Sequence, residues 1–75
     1  MGTQAHVLLQ IDPGRSQEAV AYLSGLETVT EAALTSGPYD VIATVQAPSD
    51  DALGRAVARA RRTPGLCALR LCRPT

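Results

Sequence analysis

Residues 35–45 read TSGPYDVIATV, and the reading of that stretch decides the fold. Ser36-Gly37-Pro38 is turn chemistry, because glycine supplies a positive φ and proline fixes its own. On the C-terminal side of the turn, Tyr39–Ala47 (YDVIATVQA) alternates like a strand, with Val41, Ala43 and Val45 on one side against Ile42 and Thr44. On its N-terminal side, Val29–Thr35 (VTEAALT) alternates as well. Two alternating runs joined by a glycine-containing loop predict a β-hairpin. The tyrosine and the carboxylate at the exit of this turn admit two readings. Asp40 can simply pair with backbone donors of the turn. Alternatively, glycine lets the backbone approach a ligand, and exposed amides beside a carboxylate hold a small zwitterion.

Outward from the hairpin the period changes from 2 to 3.6 residues. On the N-terminal side, Ala19, Val20, Leu23 and Leu26 fall at helical spacing within Arg15–Leu26, with Glu18 and Glu27 outside. Ser16 is the expected N-cap and Gly25 the expected end. On the C-terminal side Pro48 stops the strand and Ser49 caps a second helix. Asp50 and Asp51 lie in its first turn, where the helix dipole favours anions. Leu53, Ala56, Val57 and Ala60 then mark one face, and Arg59, Arg61 and Arg62 occupy the cation-favouring end. Flanking both helices are two more strands. Ala5–Ile11 (AHVLLQI) is stopped by Asp12-Pro13-Gly14, and Leu66–Cys72 (LCALRLC) comes after Pro64-Gly65.

The order is β-α-β-β-α-β, an α+β, ferredoxin-like plan: a four-stranded antiparallel sheet with two helices on one face. It fills the chain as one domain, residues 1–75, with about 5–72 structured. The strands are apolar on both sides, so Leu8, Ile42, Leu34 and one set from the last strand are expected to face outward. An apolar patch of that kind marks an association surface, and a homodimer packing sheet against sheet is the simplest way to bury it.

Size points the same way. A chain of 75 residues buries only about 60% of the surface its unfolded form exposes. Small domains compensate with disulfides, metals or oligomerisation. The two cysteines, Cys67 and Cys72, are separated by an odd number of positions, which places them on opposite faces of a strand and keeps them unpaired. They read as small apolar fillers in a reduced compartment. With one histidine, His6, and no Cys/His cluster, no metal or other cofactor is expected.

Formal charge is balanced, which argues against an obligatory nucleic-acid or membrane partner. The distribution is uneven. Asp12, Glu18, Glu27, Glu31 and Asp40 lie in the first 40 residues, and six of the seven arginines lie between positions 55 and 73. The start, MGTQAHVLL, lacks the basic and apolar regions of a signal peptide, and nothing approaches a membrane span, so a cytoplasmic location is expected. Catalytic chemistry is not legible. No nucleophile–base pair or set of opposed carboxylates stands out. ARARR at 58–62 has an ordinary explanation as a helix C-terminus and lacks aromatics for base stacking.

Three pieces of punctuation in order carry a resemblance: Pro13-Gly14 after the first strand, Gly37-x-Tyr39-Asp40 leading into a strand with Val45, and Pro64-Gly65 before the last strand. The chain resembles, from about Ala5 to Cys72, the effector-binding domain of Lrp/AsnC regulators, known as the regulation-of-amino-acid-metabolism domain. Because no helix-turn-helix precedes it, it is similar to the stand-alone form of that domain. The resemblance implies a sheet-to-sheet dimer, further assembly toward octamer-like rings, and a small effector, usually an amino acid, in clefts between dimers. It also implies that transcription is modulated through a full-length Lrp/AsnC regulator, without direct contact to DNA. Carried over by position, the ligand contacts are Ser36, Gly37, Pro38, Tyr39 and Asp40, with Ala47 and Ser49 after the third strand. Leu69 and Leu71 stand where the family tends to have hydroxyls, which implies a more apolar wall or a lost ligand. Two rival readings are a small dimeric α+β-barrel enzyme of monooxygenase or cyclase type, and the ACT amino-acid-binding module.

Overall fold

The structure is a computed structural model and describes residues 2–73; residues 1, 74 and 75, which the expected domain extent includes, lie outside it. Its elements are β1 (Thr3–Ile11), α1 (Ser16–Ser24), β2 (Val29–Leu34), β3 (Val41–Ala47), α2 (Asp50–Ala60) and β4 (Leu66–Cys72). The strands form one sheet in the order β2-β3-β1-β4, and all three pairings are antiparallel. This is the β-α-β-β-α-β plan.

Alternation in the sequence maps onto the two faces of this sheet. Val7, Leu9 and Ile11 of β1 and Val41, Ala43 and Val45 of β3 are buried, together with Ala19 and Leu23 of α1 and Leu53, Ala56 and Ala60 of α2. Both helices therefore lie on the same side. The hydroxyl of Tyr22 on α1 donates to the carbonyl of Arg59 on α2 at 2.9 Å and ties the two helices together. Pairing β1 with β3 sets His6 beside Thr44 and Leu8 beside Ile42 on the helix-free face. Glu31 and Ala33 of β2 join them there, as do Arg70 and Cys72 of β4.

Three expectations need correcting. Leu34 pairs with Val41, so it belongs to the helix-bearing side. It is 54% exposed because it sits at the sheet edge and the helices leave it uncovered. Ser16 is the first residue of α1 rather than its cap; Arg15 occupies the cap position, and no side chain bonds the free amides there. Cys67 is no apolar filler, for it is exposed and its thiol donates to Asp12. By contrast Ser49 caps α2 as expected, its Oγ accepting from the Ala52 amide at 3.1 Å.

Candidate functional site: the glycine-turn end of the sheet

The turn between β2 and β3 is held by its two ends. The Thr35 amide donates to the Asp40 carbonyl at 2.9 Å, closing the hairpin, and the Asp40 amide donates to the Leu9 carbonyl at 2.9 Å. The Asp40 side chain then crosses to β1, where Oδ2 accepts from the Ile11 amide at 2.8 Å. That bond falls where the β1–β4 register shifts, between Gln10 and Ile11. On the β3 side the ladder has already ended at Leu9 and Val41, so the Ile11 amide has no strand partner there and the carboxylate takes it up. Gln10 Nε2 donates to the Pro38 carbonyl at 2.8 Å, so β1 grips the turn three times, through Leu9, Gln10 and Ile11. Between these anchors Ser36, Gly37 and Pro38 are exposed, with Gly37 at φ +112°.

The other two glycine turns lie at the same end of the sheet. The Asp12 amide donates to the Gly65 carbonyl at 2.8 Å, joining the β1–α1 loop to the α2–β4 turn. Gly65 has φ +77°, and a side chain there would meet Arg15 and Ile11 within 3.1–3.3 Å. The three pieces of punctuation that were far apart in the sequence thus converge. Among them Cys67 Sγ donates to Asp12 Oδ1 at 2.9 Å. That bond, aided by partial desolvation and by the charges of Asp12 and Asp40, pushes the thiol above its ordinary range. A thiol held in its protonated form is a poor nucleophile. On the helix-free face, Arg70 is raised above its usual value by its neighbours, Tyr39 first and Cys72 after it.

The residues expected to bind an effector divide into three groups. Ser36, Gly37, Pro38, Tyr39 and Asp40 are contiguous and lie at this end. Ala47 pairs with Thr3 at the far end of β3, roughly 20 Å away at the rise of a strand. It is buried and forms part of a shallow concavity with Thr3, Gln46 and Pro48. Ser49, just beyond, is engaged in capping α2. Leu69 and Leu71 pair with Leu9 and Val7, on the helix-bearing side of the edge strand. Leu69 packs against the core, while Leu71 is 41% exposed.

Sequence reasoning missed Gln10, Asp12 and Arg70. Arg70 had a signal, a lone charge within LCALRLC on a face expected to be apolar. Gln10 and Asp12 had none, because only the strand register shows what lies opposite them. No group of three His, Cys, Asp or Glu side chains among the described residues could hold a metal ion. Among those residues, too, no helix is long and apolar enough to cross a membrane.

Fold and site define a class: an antiparallel ferredoxin-like module whose polar groups are gathered on turns at one sheet end, outside an apolar core. The family model for the Lrp/AsnC ligand binding domain matches residues 4–70, and the chain belongs to that family. No curated protein matches it in sequence. Among solved structures it resembles FFRP-DM1, with 22% identity and a TM-score of 0.90 over 97% of this chain and 99% of that one. It also resembles a hypothetical protein of Pyrococcus horikoshii, PHS023, with 22% identity and a TM-score of 0.89 over 100% and 90% of the two chains. A third is the transcriptional regulator NMB0573 of Neisseria meningitidis in complex with L-Met. It shares 13% identity, with a TM-score of 0.83 over 97% of this chain and 49% of that one. At such identities these likenesses concern the fold.

Proposed function

We propose that this is a non-enzymatic effector-binding module that self-associates and takes an amino acid or a related small molecule at the β2–β3 turn. The observation that carries the reading is the turn itself. Its exposed Ser36-Gly37 backbone suits a carboxylate, as does the guanidinium of Arg70, which pairs in register with Leu8 on the helix-free face. Asp40, with one oxygen engaged by Ile11, keeps the other for an ammonium group. The L-Met complex of NMB0573 supports the ligand class. An amino acid is far shorter than the distance from this turn to Ala47 and Ser49. A site using both sets therefore lies between copies, the turn of one chain facing the β3 end of another. Leu71 would offer such a ligand an apolar wall.

The same reading has the module work in the cytoplasm as one domain. It modulates transcription by co-assembling with a full-length Lrp/AsnC regulator, and does not itself contact DNA. Self-association proceeds through the helix-free face around Leu8 and Ile42. The barrel-enzyme alternative needs polar groups between sheet and helices. Among the described residues Thr63 is the one polar residue buried as a whole, and its hydroxyl is engaged with the Ala60 carbonyl; the Thr28 hydroxyl is also closed to solvent. A thermal-shift screen of the twenty amino acids, with light scattering on the same samples, tests the proposal. A binder raises Tm by mass action. A flat screen sinks the sensing role, and a monomer at micromolar concentration sinks the assembly.

A further inference from the structure

The four strands carry two formally charged side chains, Glu31 on β2 and Arg70 on β4. Both belong to the helix-free face, and the strand register places them. One row across the sheet runs Glu31, Thr44, His6 and Cys72, and the next runs Ala33, Ile42, Leu8 and Arg70. The two charges, of opposite sign, therefore stand at opposite edges of the sheet. Their backbones are roughly 16 Å apart at ordinary strand spacings, too far to meet within one chain. The ion pairs among the described residues are Arg15 with Glu18 and Arg73 with Asp50, so Glu31 and Arg70 both go without one. Between them lie Leu8 and Ile42, half-buried on a face that carries no helix.

A face with opposite charges at opposite edges is complementary to a copy of itself in one orientation. Two copies packed face to face are related by a two-fold axis lying between the sheets. Aligned packing keeps the two sets of strands within about 30° of a common line, so the axis runs either along the strands or across them. An axis along the strands sets β2 of each copy over β4 of the other. Glu31 then faces Arg70 of the second copy, offset by one row, and symmetry makes the contact twice. The sheets lie about 10 Å apart, a gap that these two long side chains span together. An axis across the strands sets β2 over β2 and β4 over β4, bringing like charges together.

We propose that the helix-free face takes a second copy of this chain in the first orientation, with reciprocal Glu31–Arg70 pairs at its edges around a centre of Leu8 and Ile42. The inference rests on the self-association reading above and adds the orientation and the residues that select it. Charges at the rim of an interface set partner and register more than affinity. The five donors of the Arg70 guanidinium also leave room for an effector carboxylate.

Sedimentation equilibrium of the full chain and its charge variants tests this. Glu31→Arg and Arg70→Glu are each expected to raise the dissociation constant of the dimer at least about tenfold, because each sets like charges over one another at both edges. The double exchange E31R/R70E restores opposite charges and is expected to bring the constant back near the native value. Glu27→Arg makes the same change of net charge at an exposed position outside the sheet, and leaves the constant unchanged. Single reversals that do no more than Glu27→Arg overturn the proposal while self-association stands. A double exchange as weak as either single variant does the same. A native chain that is monomeric at micromolar concentration overturns self-association itself, and the orientation with it.

Discussion

Asp40 ties three segments with one residue: its carbonyl closes the hairpin, its amide reaches Leu9, and its carboxylate takes the Ile11 amide. Asp40→Ala strands that amide, and the expected loss is about 1–3 kcal/mol, read by urea denaturation. Asp40→Asn keeps an acceptor and loses less. Asp12 acts on a neighbour by charge and hydrogen bond, stabilising the protonated Cys67 thiol. The folded pKa of this thiol is raised, so its contribution to stability is full below the unfolded value and lost as pH rises through the folded one. Asp12→Asn therefore moves the inflection of Cys67 alkylation by iodoacetamide to lower pH; an unmoved inflection refutes the pairing. Of these roles, only the turn chemistry of Asp40 could be read from the sequence. The partner of Asp12 depends on a contact between residues 55 positions apart.

At the scale of elements, alternation and caps carried most of the information. The inward residues of β1 and β3 and the apolar stripe of α2 are buried as their periodicity implied. Leu34 is misplaced by periodicity alone, because VTEAALT gives two faces without saying which one meets the helices. Its register against Val41 decides that, and the irregularity between Val29 and Glu31 hides it from simple counting. The turns separate two kinds of glycine. Gly37 has open space around it, so Gly37→Ala carries only the cost of its positive φ, about 1 kcal/mol. Gly65→Ala adds collisions with Arg15 and Ile11. The expected outcome is that Gly65→Ala lowers Tm more than Gly37→Ala in matched melts.

For the whole molecule, the helix-free face is a sheet surface that no element of the chain covers. Leu8 and Ile42 form its centre and are half-buried within one chain, flanked by His6, Thr44 and Arg70. Placing a charge at the middle of a sheet-to-sheet contact leaves it buried and unpaired. Ile42→Arg is therefore expected to yield monomers by light scattering with strand content unchanged by circular dichroism. A particle of unaltered size would show that association uses another surface. That face was foreseeable from strands apolar on both sides. The splitting of the site was not. Ala47 and Ser49 come soon after Asp40 in sequence, but a strand is straight and carries them to the other end. Leu69 and Leu71 pass to the helix-bearing side for the same reason of register.

The bond from Ile11 to Asp40 has one more consequence. In a regular ladder, an amide's exchange with solvent reports on the sheet. The Ile11 amide is held by a side chain of the β2–β3 turn, so its deuterium uptake reports on that turn instead. A molecule settling on Ser36–Asp40 should slow exchange at Ile11 ahead of its strand neighbours. On the proposed reading, that amide would gauge occupancy of the turn with no probe attached to the protein.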